Sequence, residues 1–172
     1  ALQVLAAEAL GRIGGPKAIR PLAKALKGTD SAVNQAAALA LGQTADPRAI
    51  DPLCEALAGG DRYGLVGAAA QALGMIRDPG LVHPLTEALS RVGPRTVMVI
   101  HTLADTDNEY ALQAMTAFIA REPSPICQPW LDAMAGRILR GKTGSHSPRR
   151  GTTPIEPVRP KQQDGPKSRT PP

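Results

Sequence analysis

The sequence predicts an all-α solenoid in which antiparallel helix pairs stack one after another, and three observations support this prediction. The first is an eighteen-residue phrase that occurs three times in phase, at residues 9–26, 40–57 and 72–89. The second is the spacing of the apolar residues, and the third is a break rich in Gly, Asp and Pro inside each copy. A fixed period of this size is typical of stacked repeats that share one continuous core.

The first half of each copy has the periodicity of an amphipathic helix. Apolar residues recur every three or four positions, which is a helical and not a strand spacing. The many alanines favour helix and allow neighbouring helices to approach closely. The predicted apolar faces are Leu2, Leu5, Ala6, Ala9, Leu10 and Ile13 in copy one, Val33, Ala36, Ala37, Ala40 and Leu41 in copy two, and Leu65, Ala68, Ala69, Ala72, Leu73 and Ile76 in copy three.

A second helix is predicted to start in each copy at Pro16, Pro47 or Pro79. Proline suits the first helical position because its missing N–H is not needed there, and Asp46 and Asp78 are good N-caps. A second proline five residues later should bend each helix near its start. The predicted inner faces are Ile19, Leu22, Ala25 and Leu26, then Ile50, Leu53, Ala56 and Leu57, then Val82, Leu85, Ala88 and Leu89.

A fourth, degenerate copy follows, with Asn108 in the position of an aspartate N-cap. A last helix is predicted after Pro125, with Gly141 as its C-cap. Trp130 is expected to cover the open end of the stack, on a face that also holds Ile126, Met134 and Ile138. The predicted boundaries are a solenoid at 1–140, with repeats at about 1–30, 31–60, 61–93 and 94–121 and a capping helix at 124–140, followed by a tail at 141–172.

The net charge of +5 comes from the tail alone. Residues 1–140 hold 13 basic and 13 acidic residues, whereas residues 141–172 hold seven basic and two acidic ones. The tail is rich in proline and poor in large apolar residues, so it is predicted to be disordered. A flexible linker or extension is the default interpretation, with a proline-rich ligand or basic arm as an alternative.

The remaining composition excludes several classes of protein. Aromatic residues make up only 2% of the chain, so the core must be built from Ala, Leu, Val and Ile. Only two cysteines, Cys54 and Cys127, are present, which argues against a disulfide scaffold and a clustered metal site. No apolar stretch reaches the length of a membrane span, and a cytoplasmic location is the default expectation. Because the chain starts at Ala1 inside a helical pattern, we expect a piece of a longer protein.

The phrase A-L-G-x-I-x-D-P-x-A-I-x-P-L-x-x-A-L resembles the bacterial HEAT-like repeats, in particular the short kind named after phycobilisome lyases. The resemblance extends over residues 1–120 and, more loosely, over 121–140, and copy two departs from it at residues 43–45. It implies a curved, right-handed superhelix in which the second helices line the concave side, where partners commonly bind.

A protein partner is therefore expected on the second helices, and no catalytic residue, metal site or cofactor is expected. Nucleic acid, small molecules and membranes are not favoured as partners. The expected contact residues are the charged side chains that point outward from the second helices: Lys17, Arg20, Lys24, Lys27, Arg48, Asp51, Glu55, His83 and Glu87. His83 and Glu87 are one turn apart and are interpreted as a solvated surface pair.

Three other activities occur in proteins that resemble this fold, and the residues of this sequence bear on each of them. Deoxyhypusine hydroxylases resemble this fold and bind di-iron through His-Glu dipeptides, and this sequence has none. An accessory role of the phycobilin-lyase type, acting on a tetrapyrrole, stays the main alternative, although repeat similarity alone does not carry an activity. Weak nucleic-acid binding is a lesser one, because the basic run on the first repeat does not continue along the second and third.

Overall fold

A computed structural model describes residues 2–59 and 63–143, which are almost entirely α-helical and include no strand. The predicted disorder of the tail concerns residues that, from 144 onward, lie outside the described part. The helices are α1 (Leu2–Ile13), α2 (Pro16–Leu26), α3 (Ser31–Thr44), α4 (Ile50–Ala58), α5 (Tyr63–Met75), α6 (Val82–Val92), α7 (Thr96–Ala104), α8 (Glu109–Arg121) and α9 (Gln128–Thr143).

The helices form two adjacent rows, as expected of an all-α solenoid. The first helices pack in the order α1, α3, α5 and α7, and the second helices pack in the order α2, α4, α6 and α8. The core between the rows consists of alanine and branched aliphatic residues, because the chain has few aromatics to contribute. Leu41, Leu53, Leu73 and Leu85 are all fully buried at predicted positions.

The first helices approach one another through glycine. A Cβ atom placed on Gly11 would lie 2.7 Å from the Cα and Cβ atoms of Ala40, and one placed on Gly42 would lie 2.6 Å from Cα of Ala72. Both glycines belong to the repeated Ala-Leu-Gly triplet, whose leucine is partly buried in copy one (Leu10) and fully buried in copy two (Leu41). The triplet therefore sets the spacing between successive repeats.

The face predicted for α1 is wrong for most of its residues. Ala7 and Gly11 are the buried positions of α1, whereas Leu2, Leu5 and Ile13 are 81%, 61% and 80% exposed. The equivalent positions are half-buried on α3 and buried on α5, where first helices precede them, and no helix of the described residues precedes α1.

The start of the second helix also differs from the prediction in copies two and three. Pro47–Ala49 and Pro79–Leu81 form short 3₁₀ turns, and the α-helices begin only at Ile50 and Val82. A proline inside a helix would clash with the carbonyl four residues earlier, so the tighter turn places Pro52 and Pro84 in the first α-helical turn, where no N–H is needed. In copy one, Pro21 does lie within a continuous helix.

The predicted N-caps are confirmed. The carboxylates of Asp46 and Asp78 accept from the backbone N–H groups of Arg48 and Gly80. Asn108 caps α8 by accepting from two backbone N–H groups. Its fully buried side-chain amide also donates to the carbonyls of Gly74 and Ile76 at 3.0 and 2.8 Å, so it joins the third repeat to the fourth.

The last helix is displaced from the prediction at both ends. It begins at Gln128, after a turn, and continues through Gly141 to Thr143. Ile126 is 63% exposed, and the buried side chains are those of Cys127, Leu131 and Met134.

The helix α9 packs against both α7 and α8. Trp130 is half-buried there, with its ring centre 5.2 Å from that of His101 in an edge-to-face arrangement. Arg137 fastens α9 by pairing with Asp107 at 2.6 Å and donating to the carbonyl of Ala104.

Candidate functional site

The exposed surface of α2, α4 and α6, called here the second-helix face, carries most of the predicted contact residues. Its first part is basic, because Lys17, Arg20 and Lys24 are exposed on α2 and Lys27 follows directly at its end. Positions 17, 20, 24 and 27 are three or four residues apart, and this spacing aligns them along one side of the helix. These side chains therefore form a positive strip on the surface of the first repeat.

An ion pair joins this basic strip to the second repeat. The Nζ atom of Lys27 lies 3.2 Å from Oε2 of Glu55 on α4, and both side chains are more than 60% exposed. An exposed pair of this kind contributes little to stability. Its main consequence is geometric, because it makes the charged surfaces of α2 and α4 continuous.

A cavity of about 430 Å³ opens between α4 and α6 on the same face. Its lining includes Asp51 and Glu55 from α4 and His83, Glu87 and Arg91 from α6, with the buried Cys54 among them. His83 and Glu87 are paired at 3.3 Å, which agrees with the predicted surface pair. The cavity thus combines three carboxylates with a small apolar surface, in contrast to the positive strip on α2.

The thiol in this cavity is poorly suited to nucleophilic chemistry. Burial, and secondarily the negative charge of Asp51, raise the pKa of Cys54 to about 12. Only the thiolate is an effective nucleophile, and very little of it is present at neutral pH under these conditions. Both cysteines are buried and free, and Cys54 serves here as a small apolar surface.

Arg48 stands apart from the other predicted contact residues. It lies in the 3₁₀ turn before α4, and its guanidinium forms two hydrogen bonds to the carboxylate of Asp46, at 3.0 and 2.7 Å. The Arg48 side chain holds the pKa of Asp46 below its usual value, and the same hydrogen bond raises the pKa of Arg48. The geometry therefore assigns Arg48 mainly to the N-cap of its own repeat.

Arg91 is a member of the cavity that the sequence reasoning missed. It is exposed in the last turn of α6, and its Nε atom donates to the Glu87 carbonyl at 3.4 Å. Its position four residues after Glu87 and eight after His83 was the available signal, because such residues share one side of a helix. Arg91 also opposes the rise in the Cys54 pKa, so its charge acts on the cavity.

A second cavity, of about 480 Å³, lies between α1, α2 and the start of α3. Its walls are mainly apolar, with Lys24 among the lining residues. The Nδ2 atom of the buried Asn34 donates to the Gly28 carbonyl, and its Oδ1 atom has no hydrogen-bond partner. That oxygen is covered by protein and cannot meet a ligand in the open part of the cavity.

Within residues 2–59 and 63–143, no group of three or more His, Cys, Asp or Glu side chains is arranged to hold a metal ion. No helix in the same part of the chain is both long enough and apolar enough to cross a bilayer.

The repeats of this chain match known families. A family model of HEAT repeats matches residues 1–74, and a model of the PBS lyase HEAT-like repeat matches residues 65–91. Together these matches extend over all three in-phase copies. The chain is a HEAT-like repeat protein, and repeats of this class typically form scaffolds for protein interaction. No curated protein sequence matches the chain.

Proposed function

We propose that this protein is a non-enzymatic scaffold that binds a protein partner through the second-helix face, which by family resemblance would be the concave side of the solenoid. The observation that carries the proposal is the arrangement of two oppositely charged surfaces on neighbouring repeats. A positive strip on α2 adjoins a cavity with three carboxylates between α4 and α6, and the Lys27–Glu55 pair links them.

This arrangement favours a protein over a nucleic acid. A phosphate backbone is uniformly negative and would be attracted to α2 but repelled at Asp51, Glu55 and Glu87. A polypeptide can carry acidic side chains for the α2 strip and a basic side chain for the cavity. Complementary charges of this kind fix the register of a partner and speed its association.

The contact residues of the proposal are those predicted from the sequence, with two adjustments. Arg91 is added because it lines the cavity, and Arg48 is assigned mainly a structural role in its own repeat. The high pKa of Cys54 supports a binding role for the cavity over catalysis by this thiol. The family matches concern the repeat itself, and a repeat does not carry an activity with it.

The test compares two double variants that each remove one basic and one acidic residue, so that the net charge is unchanged. Lys24→Ala with Asp51→Ala alters the second-helix face, and Glu8→Ala with Arg12→Ala alters exposed positions of α1. Each protein is immobilised and incubated with an extract of the source cells, and the bound proteins and nucleic acids are quantified. Thermal melting is the control for folding.

We expect to recover a protein that the wild type and the α1 variant retain equally. The amount retained by the second-helix variant should be lower by about tenfold or more. That loss corresponds to a change of about 1.4 kcal/mol in binding free energy. Equal retention by all three proteins, or recovery of nucleic acid alone, would contradict the proposal.

A further inference from the structure

A proline-rich motif of the tail carries charges in an order that the second-helix face complements. The motif begins at Pro154 and reads P-I-E-P-V-R-P, with a proline at every third position. This spacing favours a polyproline II helix, which has three residues per turn and rises by about 9 Å in each turn. Glu156 and Arg159 are one such turn apart, and Asp164 follows five residues later. The charges along the motif are therefore negative, positive and negative.

The second-helix face includes exposed charged groups on each of its helices that have no charged partner. Among the described residues, Lys24 on α2 and Asp51 on α4 form no ion pair and no hydrogen bond through their side chains. Arg91 on α6 donates only through Nε, to the Glu87 carbonyl, so its Nη groups have no partner in the same part of the chain. From α6 to α2, the signs of these groups are positive, negative and positive.

The spacing of the second helices matches the pitch of the motif. Packed helices lie about 8 to 10 Å apart, and α2, α4 and α6 are consecutive in the second row. One turn of a polyproline II helix, about 9 Å, therefore leads from one second helix to the next. A segment that runs from α6 towards α2 brings Glu156 to Arg91 and Arg159 to Asp51.

The position of α9 favours this direction. α9 contacts α8, which in turn contacts α6, so α6 is about two helix spacings from the end of the described repeats. Glu156 follows Thr143, the last residue of α9, by 13 positions. An extended chain of that length spans up to about 40 Å, which exceeds two spacings of about 10 Å each.

The cavity between α4 and α6 has the chemistry that an arginine side chain needs. Its volume of about 430 Å³ accommodates one long side chain. The buried Cys54 and the neighbouring Pro84 provide an apolar wall for the methylene stem. The carboxylates of Asp51, Glu55 and Glu87 line the same cavity and can accept hydrogen bonds from a guanidinium.

We propose that residues 154–164 of this chain dock along its own second-helix face, with Arg159 in the cavity beside Asp51. The acidic residues on either side of Arg159 meet the positive groups of α6 and α2. As a regulation of the docking face, this inference rests on the proposed function, because the segment occupies the surface proposed for an external partner.

The test uses the full chain alone, without cell extract. A photoreactive amino acid replaces Val158, next to Arg159, and the cross-linked peptides are mapped by mass spectrometry after irradiation. We expect cross-links to peptides of α4 and α6, within the monomer band of a denaturing gel.

Charge reversal tests the pairing of Arg159 with Asp51. Arg159→Glu or Asp51→Lys should each lower the cross-link yield by about threefold or more, because an attraction becomes a repulsion. The two substitutions together should restore at least about half of the yield. Glu8→Lys on α1 is the matched control and should leave the yield unchanged. Thermal melting checks the fold of Asp51→Lys, and Arg159→Glu changes no residue of the described helices.

Three results would overturn the inference: no cross-link to α4 or α6, a yield that the reversed pair does not restore, or cross-links found only in a dimer band. The last result would make the tail of a second copy the occupant. Because no partner is present, each of these failures leaves the proposed function untouched.

The regulatory consequence is measured in cell extract. If the segment competes with a partner, Arg159→Glu should raise the amount of retained protein by about threefold or more. Unchanged retention would overturn the regulatory role. Intact cross-links in a chain that retains no protein from the extract would contradict the proposed function alone.

Discussion

Gly42 of α3 and Ala72 of α5 lie so close that no side chain fits between them. A Cβ atom on Gly42 would be 2.6 Å from Cα of Ala72, which is backbone and cannot move aside cheaply. The contact between Gly11 and Ala40 repeats this geometry one repeat earlier. In copy two, the alanine of the Ala-Leu-Gly triplet receives the preceding repeat and the glycine reaches the next, while the leucine fills the core.

Gly42→Ala is therefore expected to destabilise the protein, although alanine is intrinsically the better helix former. The forced separation of α3 and α5 should lower the free energy of unfolding by about 1 to 3 kcal/mol, as overpacking of a core does. Chemical denaturation measures this change directly.

The matched control is Gly67→Ala on α5, where an added Cβ atom meets nothing within 4 Å. The same substitution should there raise the free energy of unfolding by up to about 1 kcal/mol, because glycine is a poor helix former. If both variants changed the free energy of unfolding in the same direction, the glycine of the triplet would not be required for the close contact with Ala72.

Asn108→Asp should be strongly destabilising despite its small change in shape. An aspartate could still cap α8, but it would turn a buried carboxylate towards the carbonyls of Gly74 and Ile76, which now accept from the amide. We expect a loss of about 2 to 4 kcal/mol. Asp78→Asn, at the less buried cap of the preceding repeat, is the control and should cost less than about 1 kcal/mol. Comparable losses in the two variants would argue against the inter-repeat role of Asn108.

The raised pKa of Cys54 predicts an unreactive thiol. With a pKa of about 12 in place of the ordinary 9.0, the thiolate fraction at pH 8 is about 1,000-fold smaller. In a Cys127→Ala background, alkylation by iodoacetamide should be slower by at least this factor than in the same protein in denaturant. Rapid alkylation of the native protein would show that the thiol is accessible and ionised.

The same shift has a consequence for stability at high pH. The folded pKa lies above the unfolded value, so the contribution of Cys54 is fully present below about pH 9 and is lost as pH rises towards about 12. Cys54→Ala should remove this part of the pH dependence. The difference in free energy of unfolding between wild type and variant, measured from pH 8 to 11, should therefore shrink with rising pH. A constant difference over that range would be inconsistent with the raised pKa.

Removing the Lys27–Glu55 ion pair is expected to affect partner binding but not the stability of the fold. Both side chains are largely exposed, so Lys27→Ala should change the free energy of unfolding by less than about 0.5 kcal/mol. If the second-helix face binds a protein, the same substitution should slow association, most visibly at low salt. A large loss of stability without a change in binding would make the pair structural.

The repeated elements could be predicted from the sequence because each was written three times. The period, the helix pairs, the cap residues Asp46 and Asp78 and buried positions such as Leu41 and Leu73 all follow from comparing the copies. Such comparison reveals what the packing requires, because residues that the core needs recur while surface residues vary.

Features that occur once were harder to predict. On α9, Met134 is buried and Trp130 and Ile138 pack against the core as predicted, but Ile126 is exposed and Cys127 is buried in its place. The choice between Ile126 and Cys127 depends on a turn that the sequence does not mark, and this helix has no second copy for comparison. The pair between Arg137 and Asp107 spans 30 residues and follows from no local pattern. The exposure of Leu2, Leu5 and Ile13 depends on what lies next to α1, which the sequence of that helix does not contain.

The candidate site was predicted in part. The spacing on each helix placed Lys17, Arg20 and Lys24 together and paired His83 with Glu87. The cavity between α4 and α6 brings together residues that are 40 positions apart, from Asp51 to Arg91, and only the packing of the two helices defines it.

Site-specific photocrosslinking can show which face of the protein contacts a partner. A photoreactive amino acid is introduced in the full chain at position 51 on the second-helix face or, as the matched control, at position 8 on α1, and each protein is irradiated in source-cell extract. We expect a discrete protein adduct from position 51, reduced by Lys24→Ala, and none from position 8. Adducts from position 8 alone, or from both positions equally, would contradict the assignment of the second-helix face as the docking surface.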